Sequence, residues 1–338
     1  MLCPIIIKNK KIIKKNREDM INTNTIINHF KNIEGLRNIP FLNRRVFFLL
    51  LLLTSLNHIK AQLQEVTTEN IRFESEGITL AGTIYTPQHS DAAVVLVHGS
   101  GQEHRMKEFA SLLAQNGILV LTYDKRGVGE SGGTYMGPEV GTNNVDSCNL
   151  TLLAKDANAA INTLHERDKN IPIGLVGFSQ AGWIIPIAAS NNSSVDFMVL
   201  FSGPIISTLE QLRFQFFTNG NPDFWNTHTE AEAHESLNNN SRFDEHYKTE
   251  SYKFIDTDSY ETLSRLSTPG LWLFGEKDIQ IPARLSIERL NTLKAEGKPY
   301  EYCLFSTLGH NLTFSDSSEP VRIAIHWIKN RKYYIKNK

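Results

Sequence analysis

The segment that most constrains this chain is Gly-Phe-Ser-Gln-Ala-Gly at 177–182, which lies between two apolar runs. The run at 171–176 has the length of a strand, and the run at 183–189 is typical of a helix. A serine at such a turn is held on a strained elbow with its hydroxyl exposed, and the helix N-terminus directs N–H groups toward it. The segment therefore predicts a nucleophile at Ser179; the alternative is an ordinary helix N-cap.

Strand and helix patterns alternate along the chain after residue 69. A hairpin is predicted around Glu76-Gly77, because alternating residues flank this turn. The runs at 92–97 and 118–123 predict strands buried on both faces, other short runs predict further strands, and helical spacing predicts the elements between them. The predicted strands are 92–97, 118–123, 171–176, 195–201, 270–274 and 300–305, and the predicted helices include 105–115, 145–165, 282–297 and 320–332. This order predicts an α/β fold with a mostly parallel, doubly wound sheet.

Residues 204–264 interrupt the alternation, since they separate two strands and contain no buried-strand run. The segment is polar with scattered aromatic residues, and helices are predicted at 208–217 and 229–237. Ligand sites in open α/β sheets lie beyond the carboxyl ends of the strands. We therefore predict a helical cap over that edge; the alternative is a surface excursion with no part in substrate binding.

A serine hydroxyl needs a general base, and the base needs an acid that orients it. Asp278 follows the predicted strand 270–274, and His310 follows the predicted strand 300–305. The predicted nucleophile, acid and base therefore occur in the order Ser179, Asp278, His310.

Two of these assignments have alternatives in the sequence. Glu276 could replace Asp278 as the acid, because it follows the same strand. His326 could replace His310 as the base, but its place among the apolar positions of the last helix favours a packing role.

The turn after strand 92–97 reads His98-Gly99-Ser100-Gly101 and predicts an oxyanion hole. We expect the backbone N–H groups of Ser100 and Gln180 to be its donors, with Gly101 as the alternative to Ser100. His98 is expected to fix this loop by hydrogen bonding. The turn at 124–131 is expected to be structural, with an Asp/Arg brace beside the site.

These motifs together resemble the α/β-hydrolase superfamily. They are His-Gly at 98–99, Asp-x-Arg-Gly-x-Gly-x-Ser at 124–131, Gly-x-Ser-x-Ala-Gly at 177–182, Gly-x-x-Asp-x-x-x-Pro at 275–282 and Gly-His at 309–310. The resemblance covers residues 70–332 and is greatest to secreted bacterial carboxylesterases of the serine-aminopeptidase-like and dienelactone-hydrolase-like branch. It implies Ser179 as nucleophile, His310 as base, Asp278 as acid, and a helical cap. The usual pattern has glycine in place of Ala181, which is the mildest possible departure.

The N-terminal region differs in charge from the rest of the chain. Residues 1–61 carry 11 Lys and Arg against 3 Asp and Glu, of chain totals of 35 and 36, so the remaining residues carry 24 against 33. An acidic body of this kind is a poor nucleic-acid binder.

The same region has the pattern of a secretory signal peptide. Two basic residues, Arg44 and Arg45, precede the apolar run 46–53, and the small residue Ala61 follows. The run is shorter than the about 20 apolar residues of a membrane-spanning helix. We predict cleavage after Ala61 and a secreted or periplasmic hydrolase domain at 62–338, with no stable membrane insertion of the mature chain; the alternative is an uncleaved signal anchor.

The predicted function is hydrolysis of small-molecule carboxylic esters with small to medium acyl chains, through an acyl-enzyme and without a metal or organic cofactor. The alternatives are an aminopeptidase or amidase with the same three residues, a dienelactone-hydrolase-like or thioester-cleaving activity, and a non-catalytic binding protein. An aminopeptidase would need an acidic site for the substrate's ammonium group, and Asp223, Glu230 and Glu232 are candidates. Cys148 and Cys303 are expected to be free thiols, and the sequence does not indicate an oligomeric state.

Overall fold

A computed structural model of the protein describes residues 65–136, 147–229, 231–233, 235 and 256–331. The predicted signal peptide lies outside these residues, as do residues 236–255 of the predicted cap. The described residues from Glu65 onward belong to one compact unit of the chain.

The sheet begins with a two-stranded hairpin. Strands β1 (Val66–Ser75) and β2 (Ile78–Pro87) pair antiparallel, and Glu76 and Gly77 form the turn with φ of 49° and 75°. Positive φ at both turn residues matches the right-handed twist of the flanking strands. The predicted hairpin is confirmed.

Six further strands complete an eight-stranded sheet. They are β3 (Ala92–Val97), β4 (Ile118–Tyr123), β5 (Ile173–Phe178), β6 (Phe197–Phe201), β7 (Gly270–Gly275) and β8 (Tyr300–Phe305). The strand order is β1-β2-β4-β3-β5-β6-β7-β8, with β2 antiparallel to both neighbours and the other neighbouring pairs parallel. Every residue of β3, β4, β6 and β7 is buried, as expected for strands covered on both faces. The predicted mostly parallel sheet is confirmed.

The helices follow the predicted alternation, with differences at their ends. They are α1 (Lys107–Gln115), α2 (Ser147–His165), α3 (Ala181–Ser190), α4 (Thr208–Thr218), α5 (Phe224–Thr227), α6 (Ser259–Arg265), α7 (Ala283–Ala295) and α8 (Glu319–Lys329), with a 3₁₀ turn at Leu312–Phe314. Helix α1 begins two residues later than predicted, because the N–H groups of Arg105 and Met106 donate to the side chains of Asp124 and Thr122.

The strand order places a switch point between β3 and β5. The chain moves from β3 through α1 to β4 on one side, and then through α2 to β5 on the other side of β3. Because crossovers between parallel strands are right-handed, these opposite movements put α1 and α2 on opposite faces of the sheet. Ligands bind outside the carboxyl ends of strands at such a switch point. The turns after Val97 and Phe178 both lie there.

Both ends of the predicted cap insertion meet beside α4. Ser207 and Asp258 form an isolated antiparallel bridge, and the Thr208 hydroxyl donates to Asp256 Oδ1 at 2.8 Å. Arg289 of α7 forms ion pairs with Glu210 and Asp258. The insertion therefore leaves and returns to the sheet at one place. Its role as a cap stays a prediction.

The turn at 124–131 is braced at Asp124, but the arginine that pairs with Asp124 is Arg105 and not the turn's own Arg126. The Asp124 carboxylate accepts hydrogen bonds from the Arg105 side chain at 2.9 Å and from the Glu130 N–H at 3.1 Å. Arg126 turns to the other side, where its Nε donates to Asp156 Oδ2 at 3.0 Å. Ser75 donates to the same carboxylate.

Replacing Asp156 with alanine is expected to lower the free energy of unfolding by about 3–5 kcal/mol, because it leaves the buried Arg126 guanidinium unpaired. Urea unfolding would measure the change. The matched control is Glu69→Ala, which removes an exposed ion pair with Arg167 and should cost less than about 1 kcal/mol. Equal effects in the two variants would contradict a structural role for this buried pair.

The expectation of a free thiol at Cys303 is wrong. Cys303 lies buried in β8 and is disulfide-bonded. The side chain of Cys148 lies outside those that the structure describes.

Candidate active site

Ser179 lies at a strained turn between β5 and α3. Its φ is 50°, a left-handed value that residues with a side chain rarely adopt. Its N–H donates to the Phe201 carbonyl at 3.0 Å, and its own carbonyl accepts from the Gly182 N–H at 2.8 Å. β5 runs two residues further than predicted, because Phe178 pairs with Phe201 of β6. Backbone strain of this kind is concentrated at functional positions, and the geometry is that of a nucleophile elbow.

The elbow has room only for small residues. A Cβ atom added at Gly177 would lie 2.4 Å from the Cβ of Ala181, and one at Gly182 would lie 2.5 Å from the Pro204 ring. Ala181 is wholly buried. Its single methyl group is accommodated because Gly177 has no side chain, so alanine is tolerated where the usual pattern has glycine.

An acid–base pair lies at the ends of β7 and β8. His310 Nδ1 is 2.7 Å from Asp278 Oδ2, and Asp278 is 1% exposed. The other carboxylate oxygen, Oδ1, accepts the N–H groups of Gln280 at 2.7 Å and Ile281 at 3.0 Å. Because these bonds fix the carboxylate, Asp278 holds the Nδ1 proton of His310 and leaves Nε2 as the nitrogen that can accept a proton.

The two alternative residues have other partners. Glu276 forms an ion pair with Arg284. His326 lies in α8 with its Nε2 3.0 Å from the Asn330 amide. The structure therefore pairs Asp278 with His310 and not with His326.

The loop that carries His310 crosses from the end of β8 back to the end of β6. The Ser202 hydroxyl donates to the His310 carbonyl at 2.8 Å, and Ser202 directly follows the Phe201 carbonyl that holds the Ser179 N–H. This crossing needs a glycine at 275, where a Cβ would lie 2.2 Å from the Gly309 carbonyl oxygen. Ser179, Asp278 and His310 thus lie at one edge of the sheet.

The predicted oxyanion loop passes directly against the elbow. A Cβ added at Gly99 would lie 3.6 Å from the Cβ of Ser179. Ser100 is exposed, whereas Gln180 is wholly buried. The structure therefore brings this loop to the predicted nucleophile, and the roles of the Ser100 and Gln180 N–H groups stay predictions.

His98 is a neutral, buried member of the same loop. Burial, and then the positive charge of Lys125, lower the pKa of His98 to about 3. Its ring packs edge-on against Tyr123, with 4.9 Å between centroids. A histidine with so low a pKa is a poor base for proton transfer at ordinary pH, and the expected role of His98 in fixing the loop by hydrogen bonding stays a prediction.

Lys125 is the residue at this site that sequence reasoning missed. Its ammonium group is buried and donates to the carbonyl oxygens of Gly99 at 2.6 Å and Gly101 at 3.2 Å, and to Gln180 Oε1 at 3.1 Å. A lysine after a strand is usually exposed. The sequence therefore has no local signal for this contact.

The described part of the insertion contacts the loop after β7, which carries Asp278. Trp225 Nε1 donates to the Asp278 carbonyl at 2.9 Å, and the Thr218 hydroxyl donates to the Ile279 carbonyl at 2.7 Å. An aromatic cluster lies beside them, with buried Phe214 and Phe224 and with Phe217, Trp225, Ile279 and Leu285 packed against it. The segment after β6 therefore helps to fix the position of the turn that carries Asp278.

Known proteins share this architecture. The family model described as serine aminopeptidase, S33, matches residues 88–252. Esterase Pf2001 of Pyrococcus furiosus superposes with a TM-score of 0.54 at 19% identity, over 79% of this chain and 90% of that chain. Acylaminoacyl peptidase of Pyrococcus horikoshii gives 0.54 at 16% identity, over 83% of this chain and 43% of that chain. The α/β hydrolase GrgF of Penicillium sp. gives 0.53 at 18% identity, over 78% and 98%.

Curated protein sequences contain no significant match. The family match includes Ser179 but ends before Asp278 and His310, and structural likeness at these identities shows the fold. The structural likeness shows that the chain has the α/β-hydrolase fold, and residues 88–252 are similar to the serine aminopeptidase, S33, family.

Proposed function

We propose that the protein is a serine hydrolase that cleaves carboxylic esters through an acyl-enzyme. The observation that carries the proposal is the 2.7 Å pair of His310 and Asp278, at the same sheet edge as the strained Ser179. A nucleophile, a base and an orienting acid on neighbouring loops are the parts that acyl transfer needs.

The reaction follows from these positions. Ser179 Oγ attacks the ester carbonyl carbon while His310 Nε2 takes the hydroxyl proton, and the N–H groups of Ser100 and Gln180 stabilise the oxyanion. His310 then gives the proton to the leaving alcohol as the C–O bond breaks. A water molecule repeats the sequence on the acyl-enzyme and releases the carboxylic acid.

The aromatic insertion beside the loop after β7 supports an apolar acyl group as the substrate. An aminopeptidase would need acidic side chains aimed at the substrate's ammonium group. Asp223 is exposed, and the exposed Glu232 carboxylate accepts hydrogen bonds from its own helix start at Thr229. Glu230 lies outside the described residues. The aminopeptidase alternative is retained because of the family match to serine aminopeptidases at 88–252.

The test compares p-nitrophenyl acetate, butyrate and octanoate with aminoacyl-p-nitroanilides, using the full chain. We expect kcat/KM for the best ester to exceed that for the best anilide by at least about 100-fold, a difference of about 2.7 kcal/mol. Anilide cleavage that exceeds ester cleavage would transfer the proposal to the aminopeptidase.

Secretion remains a separate proposal, because the predicted signal peptide lies outside the described residues. Among the residues that the structure does describe, no helix has both the length and the apolar character needed to cross a membrane. N-terminal sequencing of the native protein tests the predicted cleavage after Ala61, and a mature chain that retains residues 43–61 would support the signal anchor instead.

A further inference from the structure

We propose that Lys125 is a positioning residue that orients both predicted oxyanion donors, the N–H groups of Ser100 and Gln180. The inference rests on the proposed function, since it specifies how the oxyanion hole of that reaction is held in place.

The three contacts of Lys125 account for all of its donors. A lysine ammonium group has three N–H bonds and no acceptor. The Gly99 carbonyl, the Gly101 carbonyl and Gln180 Oε1 lie at 2.6, 3.2 and 3.1 Å from Nζ. With its donors engaged by the protein, Lys125 acts on the substrate through the groups that it holds.

The first of these groups is the peptide between Gly99 and Ser100. In a planar trans peptide the C=O and the following N–H point in opposite directions. Because the Gly99 C=O points to the buried ammonium group of Lys125, the Ser100 N–H points away from it. Ser100 is exposed, and Gly99 lies against Ser179. Lys125 therefore fixes the rotation of this peptide beside the nucleophile.

The second group is the elbow itself. Gln180 is wholly buried, and its side-chain oxygen accepts from Lys125 at 3.1 Å. Gln180 directly follows Ser179 and precedes the first residue of α3. One ammonium group on the loop after β4 thus joins the turn after β3 to the turn after β5. These are the two turns that supply the predicted oxyanion donors.

Burial of the Lys125 ammonium group is unfavourable when only the stability of the fold is considered. Burying an ammonium group is unfavourable unless its charge is compensated, and the ion pairs found among the described residues include none with Lys125. Its charge is compensated by carbonyl dipoles and, at longer range, by Glu103. A positive charge behind peptide groups also increases the acidity of their outward N–H bonds, which favours a developing oxyanion.

The test replaces Lys125 with methionine, which keeps the length of the side chain and removes its donors. We expect kcat for p-nitrophenyl esters to fall about 100- to 1000-fold, as for loss of an oxyanion donor, with KM little changed. The Ki of an aryl trifluoromethyl ketone, whose adduct with Ser179 carries an oxyanion, should rise by the same factor. Lys155→Met is the matched control, because it changes an exposed lysine that pairs with Glu76.

A second variant covers the case in which Lys125→Met does not fold. Gln180→Met leaves the backbone N–H in place but removes one acceptor of Lys125, and it should lower kcat about tenfold. If Gln180→Met, and Lys125→Met where it folds, keep kcat within about threefold of wild type while Ser179→Ala is inactive, the proposal for Lys125 is wrong and the proposed function stands. If Ser179→Ala keeps activity, the proposed function itself is wrong.

The pH profile gives a readout that a purely structural role would not move. Burial lowers the pKa of Lys125 to about 8, and Glu103 opposes this shift. The other facing groups are neutral His98 and the ring of Tyr135, whose centroid is 6.0 Å from Nζ. The neutral amine has one donor fewer, so kcat of the wild type should fall as pH rises through about 8, and Lys125→Met should lack this decrease.

The direction in which the free energy of unfolding changes with pH distinguishes this decrease in kcat from one caused by unfolding. Above about pH 8 the unfolded state holds the Lys125 proton more tightly than the folded state, so this group increases the free energy of unfolding as pH rises toward 10.5. A wild-type decrease in kcat that follows a loss of folded protein over this range would overturn the assignment.

Discussion

Replacement of Ser179 with alanine is expected to lower kcat for ester hydrolysis by about 10⁶-fold, which leaves only background catalysis by the remaining groups. The reason is that, in the proposed mechanism, Ser179 Oγ forms the covalent bond to the acyl group. Alanine keeps a Cβ at the strained φ of 50°, so the elbow and its hydrogen bonds to Phe201 and Gly182 should survive. Ester hydrolysis and fluorophosphonate labelling would measure the loss.

The matched control for this variant is Ser190→Ala. Ser190 ends α3, and its hydroxyl donates to the Ile187 carbonyl at 2.8 Å on the exposed side of the helix. This variant should keep full activity and labelling. Activity that survives in Ser179→Ala would mean that another residue is the nucleophile. A wild-type protein that neither reacts with the probe nor cleaves esters would support the non-catalytic alternative.

The fold could be predicted because its main signal is local. Ala92–Val97 is apolar throughout and Ile118–Tyr123 is interrupted only by Thr122, since both faces of these strands are covered, and the structure buries every residue in them. The order of runs and helices then implies parallel pairing. The sequence pattern predicts an end of β5 two residues too early, because its last pair, Phe178 with Phe201, depends on a strand distant in sequence.

The candidate site could be predicted where a side chain that can act as an acid or a base follows the end of a predicted strand. Asp278 follows the buried strand β7 and His310 follows the edge strand β8, and parallel strands bring such positions to one edge. The choice between Asp278 and Glu276 could not be made from their spacing, because both follow β7. It depends on which carboxylate is held by the N–H groups of its own turn, and Asp278 Oδ1 accepts two of them.

The features that could not be predicted depend on contacts between residues that are distant in the sequence and belong to no recognisable motif. Lys125 reaches Gly99 and Gln180 across two neighbouring strands, and Asp124 is braced by Arg105 from an earlier loop. The disulfide of Cys303 belongs to the same group, since spacing of three cysteines does not identify a pairing. Nothing in the local sequence identifies the distant partners of these side chains.

Replacement of Asp278 with asparagine is expected to lower kcat by about 10⁴-fold with little change in stability. The N–H groups of Gln280 and Ile281 both point at the Oδ1 position, so the asparagine carbonyl oxygen must occupy it. Its NH₂ group then takes the Oδ2 position and donates to His310 Nδ1. When Nδ1 accepts this hydrogen bond, the ring proton of neutral His310 lies on Nε2. Nε2 can then no longer take the proton of the Ser179 hydroxyl.

The control for this variant is Glu276→Gln, which removes the other carboxylate of the same loop. Glu276 pairs with Arg284 in a partly exposed position, so its loss should change kcat less than about threefold. Nitrogen NMR of His310 adds a readout of the mechanism, because Asp278→Asn should change the neutral ring from the Nδ1-protonated to the Nε2-protonated tautomer. A larger loss in Glu276→Gln than in Asp278→Asn would show that Glu276 is the acid. An unchanged tautomer with a large loss of kcat would show that Asp278 acts by its charge and not by orienting the ring.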